Sequence, residues 1–242
     1  DGGFRGRVSA AEALVLSLNI PFITLVSEVG LVRFNGTLHA LGLDTVSPSA
    51  QTHGAGIAVG NADVRLLDLA NAYATIARGG VHTPPRALES AEPAVGPRLF
   101  SEAACWLVSD ILSGDARAQG AVGHIAAAKL PRAAWKTGTS AANRDAWTVV
   151  WNPEHVVAVW CGHKRGNFGD ESIVGIAAAA PAAWEVMRDL HPSGDAPWYD
   201  RPADVVERDV CAASGQAAST LCPERRVALA IRGRSSGAVC RV

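Results

Sequence analysis

Residues 133–144 read AAWKTGTSAANR, and several of them could act together on one ligand. Lys136 supplies a fixed positive charge. The hydroxyls of Thr137 and Thr139 can donate to a carboxylate, and Ser140 extends that series. Gly138, with no Cβ, lets a ligand backbone lie close against an extended chain. The ligand that suits all of these at once is the acidic end of a peptide. The lysine is informative in itself, because lysine occurs only at positions 129, 136 and 164 while arginine fills almost every other basic position. A lysine retained in such a chain marks a place for a compact ammonium and not for the planar fork of a guanidinium. A K-T-G-[S/T] string is expected by chance in roughly 1% of chains this long.

Other chemistries fit these residues less well. A phosphate-binding loop needs its glycines ahead of Lys-Ser/Thr and a helix after them, whereas here the glycine follows the lysine and a strand pattern follows the turn. A nucleophile elbow at Ser140 lacks its second glycine and its helix. The plain structural alternative is a surface strand with an incidental lysine. Against that stands a second element, SLN at Ser17 to Asn19, which lies 119 positions before Lys136. A three-residue S-x-N match is expected about once in every two chains of this size. Its value comes from its order, its distance and its place at a helix end just before Pro21. Helix C-terminal capping is the structural alternative for Ser17.

These residues must be positioned by a fold, and the composition allows one. The chain has 242 residues, 48% of them hydrophobic, a formal net charge of -1 and a pI near 6.7. That is enough apolar material for a sizeable core. It leaves no basic stripe for nucleic acid and no polybasic patch for anionic lipid. No apolar run approaches the length of a membrane span, and the opening DGGFRGRVSAAEA lacks the basic-then-apolar pattern of a secretion signal. Without an initial Met, and starting inside a turn, it reads as an internal stretch of a longer polypeptide. Cys105 and Cys161 stand alone in apolar stretches and read as small buried hydrophobes. Cys211, Cys222 and Cys240 cluster near the end, where a disulfide in an oxidising compartment and a metal site are the open alternatives; no C-x-x-C or nearby His completes a tetrahedral set.

The first half reads as helical. RVSAAEALVLSLN opens with a capping box at Ser9 and Glu12, predicting a helix from about Ala10 that ends around Asn19, since Pro21 disfavours helical geometry at Ile20. PFITLVSEVGLVRFNGTLHALGL predicts two short helices parted near Gly30 and closed at Gly42. THGAGIAVGNADV reads as a glycine-rich loop. RLLDLANAYATIARGG carries apolar residues at helical spacing up to a stop at Gly79, with Tyr73 in the core, and SEAACWLVSDILSG repeats the pattern between a Ser101 N-cap and Gly114. From Ala133 the period changes. AAWKTGTS, DAWTVVWN and HVVAVWCG are short, β-branched and aromatic, with NPE as a tight turn, predicting a three-stranded antiparallel meander. GIAAAAPAAWEVMRDL is a helix that Pro181 either kinks or starts. From His191 onward, prolines 192, 197 and 202 suggest a linker into a small Cys-bearing segment.

FRGRVSAAEALVLSLNIPFITL, GIAVGNADVRLLDLANAYATIARGG and WKTGTSAANRDAWTVVWNPEHVVAVWCG together resemble successive segments of the transpeptidase domain of bifunctional, class A penicillin-binding proteins. NRDAWTVVWNPEHVVAVW and the tail VCAASGQAASTLCPERRVALAIRG resemble the 1C type. The resemblance implies an α+β fold of the serine β-lactamase and penicillin-binding transpeptidase kind, here an incomplete domain. It divides the chain into 1–190, part of the transpeptidase domain, and 191–242, a linker and the start of a Cys-containing segment. It implies a D,D-transpeptidase that cross-links peptidoglycan stem peptides through an acyl-serine intermediate, with no cofactor and no metal. In its terms Ser17 relays a proton to the leaving group, Asn19 holds the substrate backbone, Lys136 favours that proton movement and attracts the terminal carboxylate, and Thr137, Gly138, Thr139 and Ser140 receive the substrate. The backbone N–H of Thr139 would be half of an oxyanion hole. Ser140, Arg144 and Asp145 match the family pattern and also suit a strand turn. The family's S-x-x-K nucleophile and base occur nowhere in this chain. The resemblance places them upstream, together with a glycosyltransferase domain, a membrane anchor and two strands whose absence would leave one sheet edge bare. The implied partners are stem peptides, lipid-linked precursors and β-lactam antibiotics, with no nucleic acid, on the periplasmic side of the bacterial inner membrane. A serine β-lactamase or D-Ala carboxypeptidase of the same superfamily, or a non-catalytic peptidoglycan-binding module, are the alternatives.

Overall fold

In the computed structural model, residues 5–88, 94, 96–114, 130–163, 169 and 173–241 are described. Lys129 and Lys164 lie outside them. Helix α1 spans Ala10–Val15 and starts where the Ser9 hydroxyl accepts from the Glu12 N–H at 3.1 Å. It does not run on to Asn19. Helix α2, Asn19–Val29, begins there instead, and Pro21 stands in its first turn. The first-turn N–H groups have no partner within a helix, so a proline costs nothing there, and it opens a new helix where the sequence suggested the end of an old one. Gly30, at φ 91°, separates α2 from α3, Leu31–Ala40, and Gly42 at φ 81° closes that helix.

The glycine-rich 52–64 stretch departs from the expected loop. It contains the end of α4, Ala50–His53, and a 3-10 segment, Gly54–Val59. Ile57 is the reason: it buries itself against Val26, Leu41 and Val46, and the Asn61 amide donates to the His53 carbonyl at 3.0 Å to close the turn. Helices α5, Leu66–Ala77, and α6, Glu102–Leu112, form where the apolar spacing puts them, the latter capped by Ser101 accepting from the Ala104 N–H.

The three-stranded antiparallel sheet has the order β1-β2-β3, with β1 at Ala134–Thr139, β2 at Asp145–Trp151 and β3 at Val156–Gly162. Lys136 stands opposite Val149 and Thr139 opposite Ala146. The β2–β3 turn is built on Asn152, fully buried, whose Oδ1 accepts from the N–H groups of Glu154 and His155. Strand alternation sorts β1 onto two faces. Ala133 and Trp135 pack with Val150 on a π-helical turn, Gly175–Ala179, and on α7, Ala180–Leu190, through Ala180, Ala183, Trp184 and Met187. Pro181 therefore marks the first turn of α7. Ala134, with Val149 and Trp151, packs on the other face against Ala77 and Leu112 from α5 and α6. Trp135 and Trp184 meet edge to face at 6.0 Å, and buried Trp151 satisfies its indole N–H on the Ser109 hydroxyl at 3.0 Å. Truncating any one of these tryptophans to alanine would cost about 3–5 kcal/mol.

Beyond α7 the chain returns to α6, where Trp106 Nε1 donates to the Tyr199 carbonyl at 3.3 Å. An antiparallel hairpin follows, β4 at Val205–Cys211 and β5 at Arg225–Ile231, with Val205 and Ile231 packed on Ala103 and Trp106. Among the described residues no strand pairs with the outer edge of β3, whose side chains are all half-buried. None of the described helices is long and apolar enough to cross a membrane.

Candidate active site

Ser17 owes its position to the way α1 stops. Leu16 caps the helix, the Leu18 N–H reaches back to the Ala13 carbonyl at 2.9 Å, and the Ser17 N–H reaches the Leu14 carbonyl at 3.3 Å. This is the paired 6→1 and 5→2 closure in which the middle residue turns left-handed, a place usually held by glycine. Ser17 takes it at φ 55°. A side chain in that conformation costs about 1–2 kcal/mol, and such outliers gather where geometry serves a site. What the turn achieves is to hold the exposed Ser17 hydroxyl out towards β1. It also opens α2 two residues later, at Asn19, which is exposed on the first turn of that helix.

Lys136 lies on the α5/α6 face of β1, the same parity as Ala134. Its Nζ donates to Ser17 Oγ at 2.5 Å and to the Thr137 carbonyl at 2.6 Å. Residues 119 positions apart thus share a short charge-assisted hydrogen bond. The geometry orients protons. Because Ser17 Oγ accepts from the ammonium, its own O–H is left to donate elsewhere.

The edge of β1 carries the remaining groups. Ser140 and Asp145 close the β1–β2 ladder, with the Ser140 N–H on the Asp145 carbonyl at 2.9 Å and the Ser140 hydroxyl accepting from the Asp145 N–H at 2.9 Å. In an antiparallel ladder bonded and non-bonded pairs alternate. Thr139 and Thr137 therefore occupy non-bonded positions, and their N–H and C=O groups face out of the sheet along the outer edge of β1, where Lys136 Nζ bonds the Thr137 carbonyl. Among the described residues no strand satisfies the outward Thr139 N–H. Ser140 is engaged in the turn itself, and Asp145 also accepts from Trp160 Nε1 at 2.9 Å. Their visible contribution is to the shape of that connection.

Thr137 and Thr139 present their side chains on the face covered by the π-helical turn. The Thr139 hydroxyl accepts from the Gly175 N–H at 3.0 Å, and the buried Thr148 hydroxyl donates to the Gly175 carbonyl at 3.0 Å. Thr139 keeps its own O–H to give. Gly175 is gripped at both ends, and no side chain fits there: a Cβ would lie 2.5 Å from the Gly138 carbonyl oxygen and 2.7 Å from that of Trp147. The sequence reading did not single out Gly175 or Thr148. Their only local signal was a glycine at the head of an alanine-rich helix opposite a threonine in a hydrophobic strand, and it means nothing without the strand register.

A cavity of about 340 Å³ lies elsewhere, between α5, α6 and Tyr199, lined in part by Arg98 and Cys105. Neither Lys136 nor Ser17 lines it, and its lining residues hold no paired nucleophile and base. Burial pushes the Cys105 thiol up to about 11 from the ordinary 9.0, so it stays protonated near neutrality and behaves as core.

Exchanging Ser17 for glycine separates the two reasons for its conformation. Ser17→Gly should unfold at an equal or higher urea concentration, gaining up to about 1 kcal/mol from relief of the left-handed side chain, while losing the hydroxyl that Lys136 holds. A loss of more than about 1 kcal/mol would mean that the side chain is there for the fold.

Comparisons with known proteins place the chain in a family. The family profile for the penicillin-binding protein transpeptidase domain matches residues 3–183, and the chain belongs to that family. It is 33% identical over 223 residues to penicillin-binding protein 1C of Escherichia coli K12, covering 89% of this chain and 28% of that protein. It is 30% identical over 210 residues to penicillin-binding protein 1A of Mycobacterium tuberculosis, covering 72% and 24%. The chain thus spans about a quarter of the length of these curated relatives. The crystal structure of penicillin-binding protein 1A from Haemophilus influenzae superposes with a TM-score of 0.76 over 96% of this chain and 41% of its own, a likeness of fold at 17% identity. A penicillin-binding protein A structure from M. tuberculosis, solved as an imipenem acyl-enzyme complex, superposes at 0.59 with 24% identity.

Proposed function

We propose that the chain is the Lys-Thr-Gly-bearing part of a peptidoglycan D,D-transpeptidase that works through an acyl-serine intermediate. The observation that carries the reading is the 2.5 Å contact between Lys136 Nζ and Ser17 Oγ, set beside the outer edge of β1 with its outward peptide groups. The relatives supply the reaction class, and this chain's residues supply roles within it.

A stem peptide ending in D-Ala-D-Ala would lie along β1, adding its backbone to the outward groups of Thr137 and Thr139 as a further strand. Its terminal carboxylate would take hydrogen bonds from the Thr137 and Thr139 hydroxyls in the field of the Lys136 ammonium. Gly138 leaves room for that approach, and the Asn19 amide would hold the peptide from the α2 side. A serine outside this chain attacks the penultimate carbonyl, and the Thr139 N–H would stabilise the oxyanion that forms. The leaving D-Ala nitrogen needs a proton. Ser17, whose oxygen already accepts from Lys136, would deliver it from its own O–H and be resupplied from the base that deprotonated the nucleophile. Ser140 would keep Thr139 in register through the turn.

In this reading residues 1–190 form part of the transpeptidase domain and 191–242 a separate Cys-bearing segment. The parent protein acts on the periplasmic side of the inner membrane on stem peptides and lipid-linked precursors, and β-lactams acylate it as donor mimics. The M. tuberculosis acyl-enzyme complex supports that last point by fold.

The fate of the acyl group distinguishes the alternatives. A longer version of the chain that supplies an S-x-x-K segment, given a D-Ala-D-Ala thioester or peptide donor and a D-amino acid acceptor, should release D-Ala and pass the acyl group to the amine. Transfer to water alone would make it a carboxypeptidase or β-lactamase. No release of D-Ala would leave a binding module.

A further inference from the structure

Cys211 ends β4, Cys222 lies in the connection to β5, and Cys240 lies near the end of the chain, yet all three are buried and their sulfur atoms lie within 4.8 Å of one another. We propose that these three cysteines form a structural site for a thiophilic divalent cation of the zinc type, which ties the tail together.

Tetrahedral zinc with Zn–S bonds of about 2.3 Å sets its sulfurs about 3.8 Å apart. The cluster is already within about an ångström of that spacing, although its members are spread along the sequence with no C-x-x-C to announce them. Polar groups already surround two of the sulfurs. Backbone N–H groups of Ala213 and Ser214 and the Ser214 hydroxyl bond to Cys211 Sγ, and the Ser219 N–H approaches Cys222 Sγ at 3.3 Å. Such outer hydrogen bonds orient ligating sulfurs and tune the metal they hold.

Number also separates a cation from a disulfide. A disulfide would use two of the sulfurs and leave the third thiol buried beside it, whereas a cation uses all three. The segment needs such a fastening. One end of the hairpin packs on α6 through Val205 and Ile231, whereas the apolar cluster at the cysteine end consists of the three cysteines and Ala218, far too little to hold the terminal stretch without a staple. The backbone already brings the pieces together, with the Cys240 N–H on the Ala217 carbonyl at 2.8 Å and the Ala217 N–H on the Ala238 carbonyl at 3.0 Å. Among the described residues no histidine or carboxylate joins the group, so the fourth tetrahedral position falls to water or an outside donor. Binding exchanges the protons of three thiols for one cation, and no electrons move.

The test uses the full chain, purified in reductant and then freed of reductant and metal under argon. One equivalent of Co2+ should produce the thiolate-to-cobalt charge-transfer absorption and the intense visible bands of a tetrahedral thiolate site, and one equivalent of Zn2+ should bleach them. Cys211→Ser, Cys222→Ser and Cys240→Ser should each weaken Co2+ at least ~10- to 100-fold, the loss that follows even from removing an outer partner of a metal ligand. Cys161→Ser should leave binding unchanged. Circular dichroism checks that the variants fold, and the wild-type spectrum decides the question without them. Absence of these bands in wild type with excess Co2+ would overturn the proposal. So would mass spectrometry showing that protein isolated without reductant, in the presence of Zn2+, carries a disulfide between any two of the three.

Discussion

Lys136→Ala, in a longer chain that supplies the S-x-x-K segment, should lower the second-order rate of acylation by a fluorescent penicillin by about two to four orders of magnitude, the range that a positioned proton-transfer group contributes. In the proposed reading one atom serves two purposes. Lys136 Nζ fixes Ser17 Oγ at 2.5 Å, and it extends from the strand that carries the threonines that would receive the carboxylate. Removing it loosens the proton path and the substrate anchor together. Arginine should not rescue. Its guanidinium carries the charge on a planar fork that does not fit where a single ammonium reaches both Ser17 Oγ and the Thr137 carbonyl. Ser17→Ala should lose a comparable amount, and the double variant should lose little more than either alone, because residues that act as one unit are not additive. If the single losses multiplied in the double variant, Lys136 and Ser17 would be acting separately and the shared proton path would be wrong.

The parts of the fold that were legible share a physical cause. The meander could be read because each strand alternates on its own and because turn residues stand between them, and the helix caps could be read because Ser9 and Ser101 bond within three residues of themselves. These are local interactions, visible at short range in sequence. The misread stretches depended on distant partners. Residues 54–59 wind into a 3-10 segment because Ile57 finds Val26 and Val46, and glycine content alone suggested a loop. Pro21 was read as an end when it is a beginning. The rule that proline disfavours helix at the residue before it fails in the first turn, and the sequence cannot show which side of the proline holds the helix.

The site divides along the same line. Lys136, Thr137, Gly138 and Thr139 announce themselves by type and spacing. Ser17 is a different case, because serine at a helix end is commonplace and only its order, its distance from the Lys-Thr-Gly string and its place just before Pro21 raised it above chance. The left-handed turn that aims it was invisible, since most serines do not adopt φ 55°. Gly175 and Thr148 were invisible for another reason. Their role exists only in the ladder register, where two threonines of neighbouring strands grip one glycine of the turn that covers them. The three tail cysteines are the clearest case, for their separations suggest no metal site and only the fold shows the sulfurs converging.

The 242-residue chain by itself should form no covalent adduct with a fluorescent penicillin, and this outcome bears directly on where the chemistry resides. In the proposed reading, what the chain holds is a proton relay, a carboxylate site and one oxyanion donor. What it lacks is any serine with lysine three residues on, the pair in which a hydroxyl gains a base close enough to take its proton. Ser17 is the most reactive-looking alternative, yet its oxygen accepts from an ammonium. That bond lowers the electron density a nucleophile needs, and Lys136 cannot act as a base while it stays charged. Ser140 is held as a turn acceptor by the Asp145 N–H. Loss of the nucleophile typically removes several powers of ten of rate and leaves binding contacts in place. Weak, reversible protection of the chain by penicillin is therefore compatible with the assignment, whereas a fluorescent band that survives boiling in detergent is not. Such a band, mapped by peptide mass to any serine in this sequence, would move the nucleophile into this chain and dismantle the roles given to Ser17 and Lys136. The same experiment on a chain extended to include an S-x-x-K segment should give the stable band, and its loss on Lys136→Ala would tie the two halves of the site together.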